Sequence, residues 1–130
     1  MLTLADVFEA LTGQRLAMMD IVINEAAVDS RQVIPASMFV ALPGERTDGH
    51  NFVGDAFKNG ASLALVQQDM SAQFTTLDLR GRPNLAEVTM PSSLLHGGPV
   101  CLRVENTLEA LQQVARFYRR KMNVRVIGVT

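Results

Sequence analysis

Two short turns carry most of the side chains in this sequence that could do chemistry. Asp29-Ser30-Arg31 and Gly44-Glu45-Arg46-Thr47-Asp48-Gly49-His50 flank a compact apolar run at 38–42, all within residues 28–58. Ser30 offers a hydroxyl that both donates and accepts, and Arg31 offers a forked cation. Arg46 adds a second fork suited to a bidentate grip on phosphate or carboxylate. Gly44 and Gly49 let the backbone come close to a ligand and expose amide donors. Thr47 and Asp48 can bond a sugar, an amide edge or the turn's own backbone. A scaffold role competes at several positions: Asp29 and Asp48 are turn formers, and Arg31 can be satisfied by pairing with either of them. Ser30, Arg31 and the Glu45-Arg46-Thr47 tip are the candidate contacts, with Asp29, Asp48, Gly49 and His50 behind them. There is no nucleophile–base pair, no paired carboxylates in one motif and no complete phosphate loop. The residues by themselves indicate an anion- or nucleotide-binding site with no catalytic group.

Periodicity supplies the elements that must hold these turns. Thr3 caps a helix, Asp6 completes a capping box, and Leu4, Val7, Phe8 and Leu11 fall on one face before Gly13 ends it. Residues 21–28 read as a strand entering the first turn. The run 38–42 reads as a strand covered on both faces. Phe52, Ala56 and Phe57 define a short helix that Gly60 closes, and 62–67 form the next buried strand. Strand, loop, helix and strand make a βαβ unit, so 38–42 and 62–67 are expected to be parallel. Open α/β sheets bind ligands in the loops leaving the C-terminal ends of strands, which is where residues 45–50 fall.

Residues 68–99 are punctuated by Gly81, Pro83, Pro91, Gly97, Gly98 and Pro99, and read as a surface excursion with a possible short strand at 85–90. Residues 100–104 read as a strand. Asn106 then caps a long helix, with Glu109 closing a capping box, Leu108, Leu111, Ala115, Tyr118 and Met122 as its apolar stripe, and Arg119, Arg120 and Lys121 in its last turn. Residues 125–130 read as a final strand. The fold class expected is α/β, a small mixed or parallel sheet with flanking helices.

A chain of 130 residues can bury a real core. Its net charge of −1 gives no global field toward nucleic acid or an anionic membrane. Arginines crowd the last quarter, but the helix end accounts for several of them. A single cysteine, Cys101, excludes an internal disulfide framework and suits a reducing compartment. With His50 and His96 it has no zinc-ligand spacing, so no metal site is expected. No apolar run approaches a membrane span, and a cytoplasmic location is the expectation.

The string DSRQVIPASMFVALPGERTDGHNF resembles the N-terminal domain of the Mur ligases, through Asp29-Ser30-Arg31, Pro35, Ser37, Phe39, Ala41-Leu42, Gly44-Glu45-Arg46 and Asp48-Gly49-His50. Gly60-Ala61 and Ala64 resemble the family's next strand, and VENTLEALQQVARFYRRK resembles a helix of that domain. Residues 126–130 resemble the strand that runs into the family's ATP-binding phosphate loop. The family has glycine where Ala36 stands, which makes a left-handed backbone there costly, by roughly 1 kcal/mol.

The resemblance implies an ATP-dependent amide ligase of peptidoglycan biosynthesis. The carboxylate of a UDP-N-acetylmuramoyl peptide is activated as an acyl phosphate, and an amine then attacks it. Residues 1–125 would be the UDP-sugar-binding domain and 126–130 the start of a central domain that holds ATP and magnesium. The fragment alone would be inactive and would bind no cofactor itself. Val28, Ser30 and Glu45-Arg46-Thr47 match segments that contact the nucleotide sugar. Glu45-Arg46 after Gly44 resembles the members that add D-alanyl-D-alanine to UDP-N-acetylmuramoyl-tripeptide. The members adding diaminopimelate or lysine are the alternative, and a stand-alone nucleotide-sugar-binding module is a third.

Overall fold

The protein is described here by a computed structural model covering residues 1–16, 19, 21–44, 46–96 and 98–129, with the backbone alone for 95 and 123–129. Strand β1 (Leu2–Thr3) leads directly into helix α1 (Leu4–Thr12). The Thr3 hydroxyl accepts from the Asp6 amide at 3.2 Å, and the Asp6 carboxylate accepts from the Thr3 amide at 2.9 Å. Two of the amides that open the helix region are thereby satisfied, as the capping-box pattern predicts. Gly13 ends the helix at φ 76, a left-handed position that glycine adopts without Cβ strain.

The strand expected at 21–28 is two strands in two sheets. β2 (Val22–Ile23) pairs antiparallel with β1, while β3 (Ala26–Ala27) pairs parallel with β4 (Met38–Val40). Asn24 makes the break: its amide donates to the Ala36 carbonyl at 2.8 Å and its side chain to the Pro35 carbonyl at 2.9 Å. A side chain that bonds backbone outside the ladder competes with strand pairing.

The βαβ unit forms as the periodicity predicts. β4 passes through a 3-10 turn at Gly49–Phe52 and α2 (Val53–Lys58) to β5 (Leu63–Val66), which is parallel to β4 with Met38 opposite Leu63. Beyond it lie β6 (Thr76–Asp78), α3 (Ser92–Leu95), β7 (Val100–Arg103) and α4 (Thr107–Val129). The five-stranded sheet has the order β3-β4-β5-β7-β6, and every pairing in it is parallel.

Alternate residues of the central strands serve two cores. Met38, Val40, Leu63, Leu65, Val100 and Leu102 face α1 and α4, while Phe39, Ala41, Ala64, Val66 and Cys101 face α2. A sheet covered on both sides needs apolar residues at every position, which is why these runs lack polar alternation.

Three further expectations are corrected. Residues 68–99 are no mere surface excursion: Thr76–Asp78 form the edge strand β6, and Leu77, Leu79, Leu85 and Leu94 are buried in the core shared with α1 and α4. The strand expected at 85–90 is a 3-10 turn at Leu85–Glu87, capped by the Asn84 side chain accepting from the Ala86 amide at 3.1 Å. Gln14 fixes this segment by donating to the Pro83 carbonyl and accepting from the Leu85 amide, both at 2.8 Å.

The apolar stripe of α4 is the second correction. Thr107, Ala110 and Val114 are buried, whereas Leu108 is half exposed and Ala115 and Met122 face outward. The Thr107 hydroxyl donates to the Ala41 carbonyl at 2.8 Å and so sets the rotation of the helix. At the N-terminus the Asn106 side chain accepts from the Glu109 amide at 2.9 Å, the cap expected of it.

The third correction concerns the chain's last residues. Residues 125–129 continue α4 and do not form a strand, and Thr130 lies outside the described residues. A strand needs a neighbouring ladder, whereas a helix satisfies its backbone internally. Arg119, Arg120 and Lys121 consequently stand inside the helix, where a dipole-end role does not apply. Lys121 instead reaches the buried Asp6 carboxylate at 2.8 Å, and Arg15 reaches it at 3.0 Å. Burial alone would raise the Asp6 carboxyl, but these two cations and the Thr3 amide outweigh it and bring the carboxyl down to about 2.

Candidate functional site

The C-terminal ends of β3 and β4 lie side by side, and each releases one of the polar turns. Between them is a cleft of about 660 Å³ lined by Val28, Ser30, Arg31 and Thr47 from the turns, with Phe52 and Asp55 from the start of α2. Asp29, Leu42, Pro43 and Gly49 complete its wall, and Phe39 closes it from the core. Residues separated by more than fifteen positions thus meet at the strand ends, where parallel sheets place ligands.

The first turn is rigid for local reasons. Asp29 accepts from the Arg31 amide at 2.9 Å and caps a 3-10 turn at Ser30–Gln32. Its carboxylate also spans the Arg31 guanidinium, with Nε at 3.1 Å and Nη2 at 2.9 Å. The Arg31 side chain and amide hold the Asp29 carboxyl below its ordinary value. This is the Asp29 pairing that the sequence leaves open for Arg31, whose side chain as a whole stays 88 % exposed. Ser30 is buried at the turn, where the Asn59 side chain donates to its carbonyl at 2.9 Å and ties it to the end of α2.

The second turn is held by Asp48 and His50. Asp48 accepts from the His50 amide at 3.0 Å and lies 2.7 Å from Nδ1 of the same imidazole. The His50 amide, then its ring, holds the Asp48 carboxyl below the usual carboxylate range. Nε2 of His50 accepts from the Gln67 amide at 2.8 Å. Gly49 runs against the backbone just after β4: a Cβ there would meet the Leu42 amide nitrogen at 2.7 Å. Its amide donates to the Leu42 carbonyl at 2.9 Å, so the glycine allows a close backbone crossing that no side chain permits.

The structure therefore brings Val28, Ser30, Arg31 and Thr47 to one cleft, with Asp29 and Gly49 in the same wall. Asp48 and His50 stand behind the loop. Arg46 is exposed and is not part of the wall, and Glu45 lies outside the described residues. Phe52 and Asp55 have no place among the candidates from sequence. Phe52 reads there as part of the helix's apolar face, yet it is 36 % exposed at the cleft. Asn59 and Gln67 carry no sequence signal, because their partners are distant along the chain.

A sequence profile described as the Mur ligase family, catalytic domain, matches residues 22–119, which include every residue of the cleft. The chain belongs to the Mur ligase family. A UDP-N-acetylmuramoyl-tripeptide–D-alanyl-D-alanine ligase of Bacillus subtilis is 34% identical over 109 residues, covering 84% of this chain and 19% of that protein. The ligase of the same name from Treponema pallidum is 34% identical over 103 residues, covering 78% of this chain and 19% of that protein. A 2,6-diaminopimelate ligase of Clostridium perfringens is 35% identical over 71 residues, which is 55% of this chain and 15% of that protein.

Among solved structures, a UDP-N-acetylmuramoylalanyl-D-glutamyl-2,6-diaminopimelate–D-alanyl-D-alanyl ligase from Acinetobacter baumannii superposes with a TM-score of 0.51 at 26% identity. It matches 90% of this chain and 21% of its own. This Mur ligase chain thus spans about a fifth of the length of these relatives.

Proposed function

We propose that this chain is the UDP-sugar-binding, N-terminal domain of an ATP-dependent ligase that adds D-alanyl-D-alanine to UDP-N-acetylmuramoyl-tripeptide. The observation that carries the reading is the cleft itself: two separate polar turns converge on one wall at the C-terminal ends of β3 and β4. The names of the Bacillus subtilis and Treponema pallidum relatives support the substrate. Within the cleft, Phe52, Val28, Leu42 and Pro43 offer apolar surface, and among the described residues Asp29 and Asp55 add carboxylates against the cation Arg31. Such a lining suits the uridine better than the diphosphate, and the exposed Arg46 beside Thr47 is left to meet the phosphates.

The sequence holds no Gly-x-x-Gly-Lys-Thr phosphate loop, so these residues do not fit ATP and magnesium, and no step through them is assigned to this part of the protein. The role is binding: affinity for a remote part of a long substrate holds its reacting end in place for chemistry done elsewhere. A cytoplasmic location accords with such a substrate. No helix among the described residues is long and apolar enough to cross a membrane.

Titration of the chain with UDP-N-acetylmuramoyl-tripeptide and with UDP tests the reading. Ser30→Ala and Arg46→Ala should each weaken binding by roughly fivefold or more, the loss of one hydrogen bond or charged contact. Equal affinity of wild type and both variants would remove the site assignment. The diaminopimelate-adding alternative rests on the Clostridium perfringens match and predicts tighter binding of the UDP-N-acetylmuramoyl-dipeptide than of the tripeptide.

A further inference from the structure

The loop that brings Thr47 and Gly49 to the cleft is anchored from behind by a path of hydrogen bonds. His50 is buried, with Nδ1 2.7 Å from Asp48 and Nε2 2.8 Å from the Gln67 amide nitrogen. A backbone N–H can only donate, so Nε2 must accept. The ring proton of the neutral imidazole therefore sits on Nδ1 and is donated to Asp48. The other end of Gln67 works on a different element. Its side-chain carbonyl accepts from the amide of Thr107, the first residue of α4, at 2.9 Å. The Thr107 hydroxyl donates to the Ala41 carbonyl at 2.8 Å, and Ala41 directly follows β4, where the loop departs. Gln67 also accepts from Arg103 Nε at 3.2 Å through its own carbonyl, and the Gln68 side chain donates to Asp48 at 3.0 Å.

We propose that His50 and Gln67 are positioning residues for the nucleotide-sugar cleft, fixing its Thr47-bearing loop to the N-terminus of α4 through the path Asp48–His50–Gln67–Thr107–Ala41. This rests on reading the cleft as the grip on the UDP end. Neither Gln67 nor Thr107 lines that cleft, so any effect they have on binding passes through the loop. Both ends of the loop, at Ala41 and at His50, close on the same pair of residues. A side-chain amide is suited to this place, because its oxygen takes an orphan amide at the opening of the helix that no intrahelical carbonyl satisfies.

The test uses the 130-residue chain in two arms. In the ligand-free arm, ¹⁵N spectra of the His50 ring should show a protonated Nδ1 and a bare Nε2. Exchange of the Thr107 amide should speed up about tenfold in Gln67→Met and stay near wild type in Gln67→Glu, which keeps an acceptor oxygen. In the ligand arm, UDP-N-acetylmuramoyl-tripeptide should bind about fivefold more weakly to Gln67→Met, with recovery in Gln67→Glu. Thr107→Val and Thr107→Ser form a second pair, with loss and retention expected in that order, should Gln67→Met fail to fold. A protonated Nε2, or wild-type affinity in both Gln67→Met and Thr107→Val, overturns the proposal. Absence of binding by the wild type would instead overturn the reading of the cleft, while the imidazole and exchange measurements still decide whether the hydrogen-bond path exists.

Discussion

At Ala36 the backbone has φ 64, a left-handed conformation in which an L side chain crowds the following carbonyl. The resemblance marks this position as glycine in the family, and the chain keeps the glycine-like conformation without the glycine. Ala36→Gly should therefore raise stability by about 0.5–1 kcal/mol, the relief of strain less the added freedom of the unfolded chain. A urea midpoint that falls on this substitution would contradict the account. The same scale shows which polar contacts can be read from sequence. Asp29 to the Arg31 amide and Asp48 to the His50 amide are bonds across two residues, and turn chemistry predicts such contacts. The bonds from Asn59 to Ser30 and from Gln67 to His50 span 29 and 17 residues, and no local pattern announces them.

At the level of elements, α1 is legible because its cap, its apolar face and its terminating glycine all lie within eleven residues. α4 is legible in extent at its start but not in rotation, since its inward face is set by the Thr107–Ala41 bond and by Lys121 reaching Asp6. The α1–α4 pairing carries a pH signature. The Asp6 carboxyl, wholly buried, is lowered from 3.8 to about 2, so the unfolded chain binds more protons between those values. Stability from this group is fully present above about pH 4 and is lost as pH falls through about 2, on the order of 2 kcal/mol. Asp6→Asn should flatten the acid limb of a stability–pH curve over that window; an unchanged limb would mean that Asp6 is not its source. The segment around β6 and α3 makes a separate prediction. Leu94 is fully buried, so Leu94→Ala should cost about 2–5 kcal/mol in urea unfolding, where a surface excursion would lose almost nothing.

For the molecule as a whole, the central strands are sealed on both faces, and Cys101 in β7 is a direct probe of that seal. It is fully buried, and burial pushes its thiol up to about 12. Alkylation by iodoacetamide at pH 8 should run about a thousandfold slower in the native chain than in urea, because only the rare open molecules react. Comparable rates would show that the sheet is not closed over β7. By itself the sequence determined the α/β class, the parallel βαβ unit, the capped first helix and the two polar turns. Each of these is written in residues close together in the chain, through short unbroken apolar runs, a helical period of 3.6 and turn chemistry. Tertiary structure alone decided that residues 76–78 complete the sheet, that 22–23 and 26–27 belong to different sheets, and that Phe52 and Asp55 join Ser30 and Thr47 in one cleft. It also decided that His50 answers to Gln67 and Thr107. These are pairings between distant segments, and their energy depends on which partners the folded chain brings within reach.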